Sequence, residues 1–234
     1  MSEMQHLLDF FSGLSENNNK PWFDAHKIEY LKIKAYFESL TARLIEGIGE
    51  FDPSVRNLTV KECTYRIYRD LRFSRDKTPY KNHIGAFICP FGKCSGYSGY
   101  YFHIQPVPDD TMFETDSHML ATGIYFAPRE VLKSVREDID CNGDNFDSSV
   151  KEAAGFEMDI HGMMKRVPVP YPQDHPYARY LKCRAWCLDK KVDSGYVLSE
   201  NLVGNLVEDY RKTFKFCQTL NKAIAYAYDR DWPY

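Results

Sequence analysis

The segment from Arg66 to Lys81 restricts the fold of this chain more than any other, through both its charges and its spacing. It holds six cations against two carboxylates, so its formal charge is +4 in a chain whose net charge is −3. The charged residues are Arg66, Arg69, Asp70, Arg72, Arg75, Asp76, Lys77 and Lys81. Four arginines spaced by three residues drift by about 60° per step around an α-helix and share no helix face. The spacing therefore favours extended structure.

The alternation of residues 65–73 predicts a β-strand. Its apolar side would carry Tyr65, Ile67, Leu71 and Phe73, and its other side Arg66, Tyr68, Asp70 and Arg72. Arg69 falls on the apolar side, where an unpaired guanidinium is costly, so we expect it to have a carboxylate or ligand partner or to lie near the end of the strand. Residues 74–79 read as a turn, because Pro79 disfavours helical geometry at Thr78.

The rest of the chain predicts helices at both ends and a sheet between them. Apolar stripes predict a helix over residues 4–14, a long helix from Pro21 to about residue 48, a helix after Pro128 and a long C-terminal helix capped by Ser199. A weak pattern predicts one more short helix near residues 150–154, and Asp174 resembles a helix cap.

Alternating segments predict four strands, over residues 59–71, 84–89, 97–105 and 121–126. In the third strand, Tyr101, His103 and Gln105 would face away from the core. Short connections favour antiparallel pairing. The expected fold is α+β: one domain over residues 1–234, with an antiparallel or mixed β-sheet flanked by long N-terminal and C-terminal helices.

Composition and motifs limit where the protein is expected to be located and which classes of site it can contain. The sequence shows no basic leader with an apolar run and no stretch long enough to cross a bilayer, so we expect a soluble, cytoplasmic protein without a membrane partner. Seven cysteines, an odd number without a Cys-x-x-Cys pair, predict free thiols. No zinc-ligand spacing, Walker loop, dinucleotide-binding glycine pattern or hydrolase nucleophile motif is present, so no metal or cofactor is expected.

The segment from Arg66 to Lys81 resembles the signature of a bacterial family of unestablished activity, domain of unknown function 2461. The resemblance extends over most of the chain. Further matching segments are Asn17-Asn-x-Lys20, Trp22-Phe23, Tyr30, Gly99-Tyr-Tyr-x-His-Ile104, Gly123-Ile-Tyr125, Arg136, Lys165-Arg-x-Pro168, Asp174-His-Pro176 and Leu181-Lys182. Because the family has no established activity, the resemblance implies no catalytic role for any residue.

The charged segment itself suggests an anion site, because guanidinium groups match phosphate and carboxylate geometry. The candidate ligand-binding residues are Arg66, Arg69, Arg72, Lys77, Lys81 and Tyr101. The candidates for proton transfer are His103, Asp70 and Asp76. Arg136 and Arg166 are additional candidate clamps.

Three functions remain open, and whether any reaction is catalysed is open with them. The preferred one is binding of a small molecule that carries a phosphate or carboxylate, which predicts a pocket around the cations. A structural or interaction scaffold predicts instead that every arginine pairs with a protein carboxylate. Single-stranded nucleic-acid binding predicts an open positive stripe with stacking rings, and the acidic remainder of the chain opposes it. The oligomeric state is not predicted.

Overall fold

A computed structural model of the protein describes residues 2–72, 76–106 and 118–232, and shows an α+β fold with helices at both ends of the chain. The helices are α1 (Glu3–Glu16), α2 (Lys20–Ala25), α3 (Lys27–Gly49), α4 (Val60–Cys63), α5 (Arg129–Glu152), α6 (Ala178–Leu181), α7 (Ser194–Val197) and α8 (Leu202–Ala227). The strands are β1 (Ile84–Ile88), β2 (Gly99–Ile104), β3 (Met119–Ile124), β4 (Glu157–Met158) and β5 (Trp186–Lys191).

The five strands form one sheet in the order β1-β2-β3-β5-β4, and every neighbouring pair is antiparallel. One face of the sheet packs on the long helices, where α8 contacts β3 as well as α3 and α5. Alternation on β2 buries Tyr100, Phe102 and Ile104 toward these helices, as predicted. The opposite face forms the floor of a groove.

The N-terminal helices begin at polar caps and present apolar stripes to the core. Ser2 accepts a hydrogen bond from the Gln5 amide at the start of α1, and Asn19 accepts one from the Trp22 amide at the start of α2. The single helix predicted from Pro21 is interrupted at His26, whose ring bonds to the Trp22 carbonyl and whose backbone leaves helical geometry. Two helices therefore replace one.

The strand predicted over residues 59–71 is wrong. Thr59 and Glu62 form a capping box that starts the short helix α4. Over the described residues 64–72, the chain after α4 forms two isolated bridges, Thr64 with Ala86 and Tyr68 with Tyr80, and no strand. The assignment of sides also fails in part, because Ile67 is buried whereas Tyr65 is exposed. Phe73, Ser74 and Arg75 lie outside the described residues.

Three further predictions need correction. The helix after Pro128 continues to Glu152, so the weak pattern near residues 150–154 marks its end. Helix α6 begins at Ala178, four residues beyond the predicted cap Asp174, and Asn201 rather than Ser199 occupies the N-cap of α8. Strands β4 and β5 were not predicted. All seven cysteines are free thiols, and among the described residues no helix combines the length and the apolar character needed to cross a membrane.

Candidate functional site

The groove runs across the open face of the sheet and has a volume of about 1630 Å³. Its floor includes one residue from each of four neighbouring strands. Phe87, Tyr101, Ala121 and Asp189 are successive cross-strand partners, so their side chains form a row from β1 to β5. The volume exceeds the roughly 300–1,000 Å³ of ordinary small-molecule pockets. The groove can therefore hold an elongated ligand.

Cations gather where the groove passes β1, around the ring of Tyr65. The ammonium groups of Lys81 and Lys93 lie 5.2 Å and 5.9 Å from the centroid of that ring, within cation–π range. Arg66 also lines the groove, and burial together with the Arg66 charge lowers the pKa of Lys81. We refer to Tyr65, Arg66, Lys81 and Lys93 as the basic corner.

No salt bridge among the described residues neutralises the charges of the basic corner. In the part of the chain that the structure describes, neither Arg66 nor Lys81 forms a salt bridge or a side-chain hydrogen bond. Lys93 donates to the carbonyl of Lys61 at 2.7 Å and so gains an acceptor but no counter-charge. In the described part of the chain, the half-buried Lys81 ammonium therefore has reduced solvation and no carboxylate partner.

The other predicted cations are engaged within the protein. Arg69 donates to Asp76 and Thr78, which confirms the predicted carboxylate partner. Arg72 forms a two-pronged pair with Asp70 at 2.6–3.2 Å and is 77% exposed. Lys77 is also exposed, and donates to the Leu71 carbonyl at 2.9 Å. The predicted ligand set therefore divides into paired and unpaired cations.

The same pairs affect the two candidate carboxylates. Hydrogen bonds from Arg72 lower the pKa of Asp70 to about 2. The Thr78 amide and then the Arg69 guanidinium lower the pKa of Asp76 to about 2. A proton carrier works best with a pKa near the working pH, so Asp70 and Asp76 are weak bases near neutrality.

Tyr101 and His103 are linked beneath the groove. The Tyr101 hydroxyl lies 2.9 Å from His103 Nδ1, and His103 Nε2 lies 2.8 Å from Oε1, the side-chain amide oxygen of Gln105. Because that oxygen only accepts, we assign the proton to Nε2, so that the Tyr101 hydroxyl donates to Nδ1. Burial lowers the pKa of His103 to about 4 and keeps the ring neutral at pH 7. His103 is fully buried, so it influences the groove through Tyr101.

Gly85 makes room for this arrangement. A Cβ atom at position 85 would lie 2.9 Å from the Tyr101 hydroxyl and 3.1 Å from the Phe102 carbonyl oxygen. Both distances are shorter than ordinary van der Waals contacts. The absence of a side chain at Gly85 therefore allows the Tyr101 ring to lie across β1 and present its hydroxyl near the basic corner.

A second polar group lies on the floor at β5 and was not found from the sequence. Burial, and then the nearby Asp159 carboxylate, raise the pKa of Asp189 to about 6. The Asp159 amide donates to the Cys187 carbonyl, which places Asp159 beside β5, and its carboxylate accepts from the His161 amide and ring at 2.8 Å. Within the described residues no cluster of three or more metal-ligating side chains occurs.

The two additional clamps do not join the basic corner. Arg136 donates to the carbonyls of Leu181 and Cys183 at 3.0 Å and 2.8 Å, and thereby connects α5 to the end of α6 and the chain that follows it. Arg166 is exposed and lies outside the groove lining. Arg136 is therefore committed to backbone carbonyls, and Arg166 takes no part in the groove.

A family model described as conserved hypothetical protein (DUF2461) matches residues 6–218. The chain belongs to this family. The DUF2461 match includes the basic corner, Tyr101 and Asp189, so the whole floor of the groove lies within the matched range. Comparisons of the chain with curated proteins and with solved structures find no match.

Proposed function

We propose that the groove binds a small molecule that carries a phosphate or carboxylate, and that the basic corner holds this group. The observation that carries the proposal is Lys81: a half-buried ammonium with no acceptor among the described residues and with the Arg66 guanidinium beside it. Such a charge is costly until an anion approaches. A bound oxyanion would offset this cost and would raise the pKa of Lys81.

The neighbouring groups suit this role. Arg66 supplies a planar fork of donors, and Lys93 adds a second ammonium over the Tyr65 ring. The Tyr101 hydroxyl, held by His103, adds a neutral polar group at the same end of the groove. The proposal concerns binding, and assigns no reaction to these residues.

The two other functions have weaker support. A scaffold accounts for the Arg69–Asp76 and Arg72–Asp70 pairs but leaves Arg66 and Lys81 unexplained. A nucleic-acid strand would need a continuous positive path, whereas the same groove carries Asp159 and Asp189 at β5. The phosphates of a long polyanion would be repelled there.

A thermal-shift and calorimetric titration tests the proposal, with inorganic phosphate, pyrophosphate and citrate as probes and chloride at matched ionic strength as the control. A ligand with a Kd of about 100 μM, added at about 10 mM, should stabilise the protein by roughly 2.7 kcal/mol. Lys81→Met and Arg66→Met should each weaken binding about tenfold. Lys77→Met is the matched control, because the exposed Lys77 donates to a backbone carbonyl outside the groove, and it should bind like the wild type.

Two results would contradict the proposal. The first is stabilisation by these anions no greater than that by chloride. The second is an equal loss of binding in Lys77→Met and Lys81→Met, which would indicate attraction by net charge rather than by the basic corner.

A further inference from the structure

The row of residues across the floor ends at a carboxyl group that the proposed function does not use. Asp189 forms no side-chain hydrogen bond or salt bridge within the described residues. Other sequestered carboxylates of this chain do: Asp209 accepts from Lys190, Lys212 and Tyr196. Asp52 likewise accepts from Tyr100 and Ser54. Of these three carboxylates, Asp189 differs in facing the groove without a hydrogen-bond donor among the described residues.

The surroundings of Asp189 favour a cation. Asp159 lies close enough to raise its pKa, and Glu157 is its cross-strand partner on β4. The charges of His161 and Lys191 act in the opposite direction and lower the pKa of Asp189. The His161 ring, however, is hydrogen-bonded to Asp159. A second anionic group at this end of the groove would meet at least two carboxylates.

The floor between the two ends is apolar and open. Ala121 is the small residue between Tyr101 and Asp189 in the row, and Phe87 lies at the β1 end. Tyr125 and Phe126 also line the groove and are 65% and 80% exposed. β1 and β5 are separated by three interstrand steps of about 4.8 Å, roughly 14 Å in all.

We infer that the ligand of the groove is an elongated amphoteric molecule, with its anionic group at the basic corner and an ammonium group at Asp189. This inference rests on the proposed function, because the basic corner fixes the orientation of the ligand. Its apolar middle would lie on Ala121, in the groove that Tyr125 and Phe126 also line. Molecules of the same length with an anionic group at each end are excluded by Asp159 and Asp189.

The test compares ω-aminoundecanoate with ω-acetamidoundecanoate, two unbranched carboxylates that differ in the charge of the far end. Calorimetry near pH 8 keeps both the ammonium and the Asp189 carboxylate charged. Wild-type protein should bind the amino compound about tenfold more tightly. Asp189→Asn should bind both compounds equally, and Lys81→Met should weaken both.

The outcomes separate the two claims. Equal affinity of the wild type for both compounds, with both weakened by Lys81→Met, would overturn the amphoteric ligand and leave the anion site standing. Absence of binding by either compound would overturn the amphoteric ligand, whereas the anion site is decided separately by the titration with phosphate, pyrophosphate and citrate. If Asp189→Asn fails to fold, the preference of the wild type for the amino compound decides the inference by itself. Asp174→Asn, an exposed change outside the groove, is the matched control and should keep that preference.

Discussion

Asp189→Asn should stabilise the protein near neutral pH, because a binding residue with a poorly solvated charge costs folding free energy. The change keeps the size of the side chain and removes its ionisation. In the folded protein the pKa of Asp189 rises from 3.8 to about 6. At 1.36 kcal/mol per pKa unit, this corresponds to about 3 kcal/mol. The group is partly open to the groove, so solvent screening reduces the expected gain to about 2 kcal/mol.

The gain should depend on pH with a definite sign. The folded protein holds the Asp189 proton more tightly than the unfolded chain does, so this group lowers stability as pH rises from about 4 through about 6. Asparagine carries no such proton. The two proteins should therefore have similar free energies of unfolding near pH 4, and the variant should be more stable by about 2 kcal/mol near pH 8.

Urea unfolding at these two pH values measures the difference, with Asp174→Asn as an exposed control that should show no pH-dependent gain. Equal stability of the wild type and Asp189→Asn near pH 8 would show that the ionised Asp189 carboxylate costs no folding free energy. A variant less stable than the wild type at that pH would show that Asp189 accepts a hydrogen bond within the protein.

Three other predictions concern the surroundings of the site. Arg69→Met should lower the free energy of unfolding by about 1 kcal/mol, because Asp76 loses its charged partner in a half-buried position. Arg72→Met, which removes an exposed pair, should leave the urea midpoint unchanged. Tyr101→Phe should cost about 1–2 kcal/mol in the same assay, since the buried Nδ1 of His103 loses that hydrogen bond, and an unchanged midpoint would argue against the assigned tautomer. Thiol titration should find seven reactive groups in denatured protein, and two that react fast in native protein, Cys94 and Cys141. Fewer than seven reactive groups in protein that is denatured without exposure to air would contradict free thiols.

The elements that could be predicted are those whose patterns depend on the protein's own core. The stripe along α8 and the alternation of Tyr100, Phe102 and Ile104 on β2 arise from burial against one interior, so sequence periodicity reveals them. The capping box of Thr59 and Glu62 is also visible in the sequence, where it indicates the start of the helix α4 rather than a strand.

Strand β5 was missed because its pattern depends on a distant partner. Lys190 lies on the side of the sheet that faces the helices, where it is neutralised by Asp209 of α8. Without that contact the end of β5 reads as a charged loop, and Asp189 reads as a surface residue. Neither the strand nor the second polar end of the groove could therefore be recognised from the sequence, because both depend on a long-range ion pair.

The division of the charged segment into paired and unpaired cations was likewise not predictable. It depends on how the chain doubles back, with the Arg69 amide bonded to the Pro79 carbonyl and the Lys81 amide to the Ile67 carbonyl. These two bonds place Asp76 against Arg69 and turn Lys81 toward Tyr65. Sequence spacing alone identifies the charges but not their partners.

An oxyanion bound at the basic corner can be located directly by soaking a crystal of the protein in tungstate. Tungstate is a tetrahedral oxyanion whose anomalous scattering locates it without reference to any model of the site. We expect a peak with oxygens within about 4 Å of the Lys81 ammonium and the Arg66 guanidinium. Peaks confined to Lys77, Arg72 or other cations outside the basic corner, with none between Arg66 and Lys81, would contradict binding at this site.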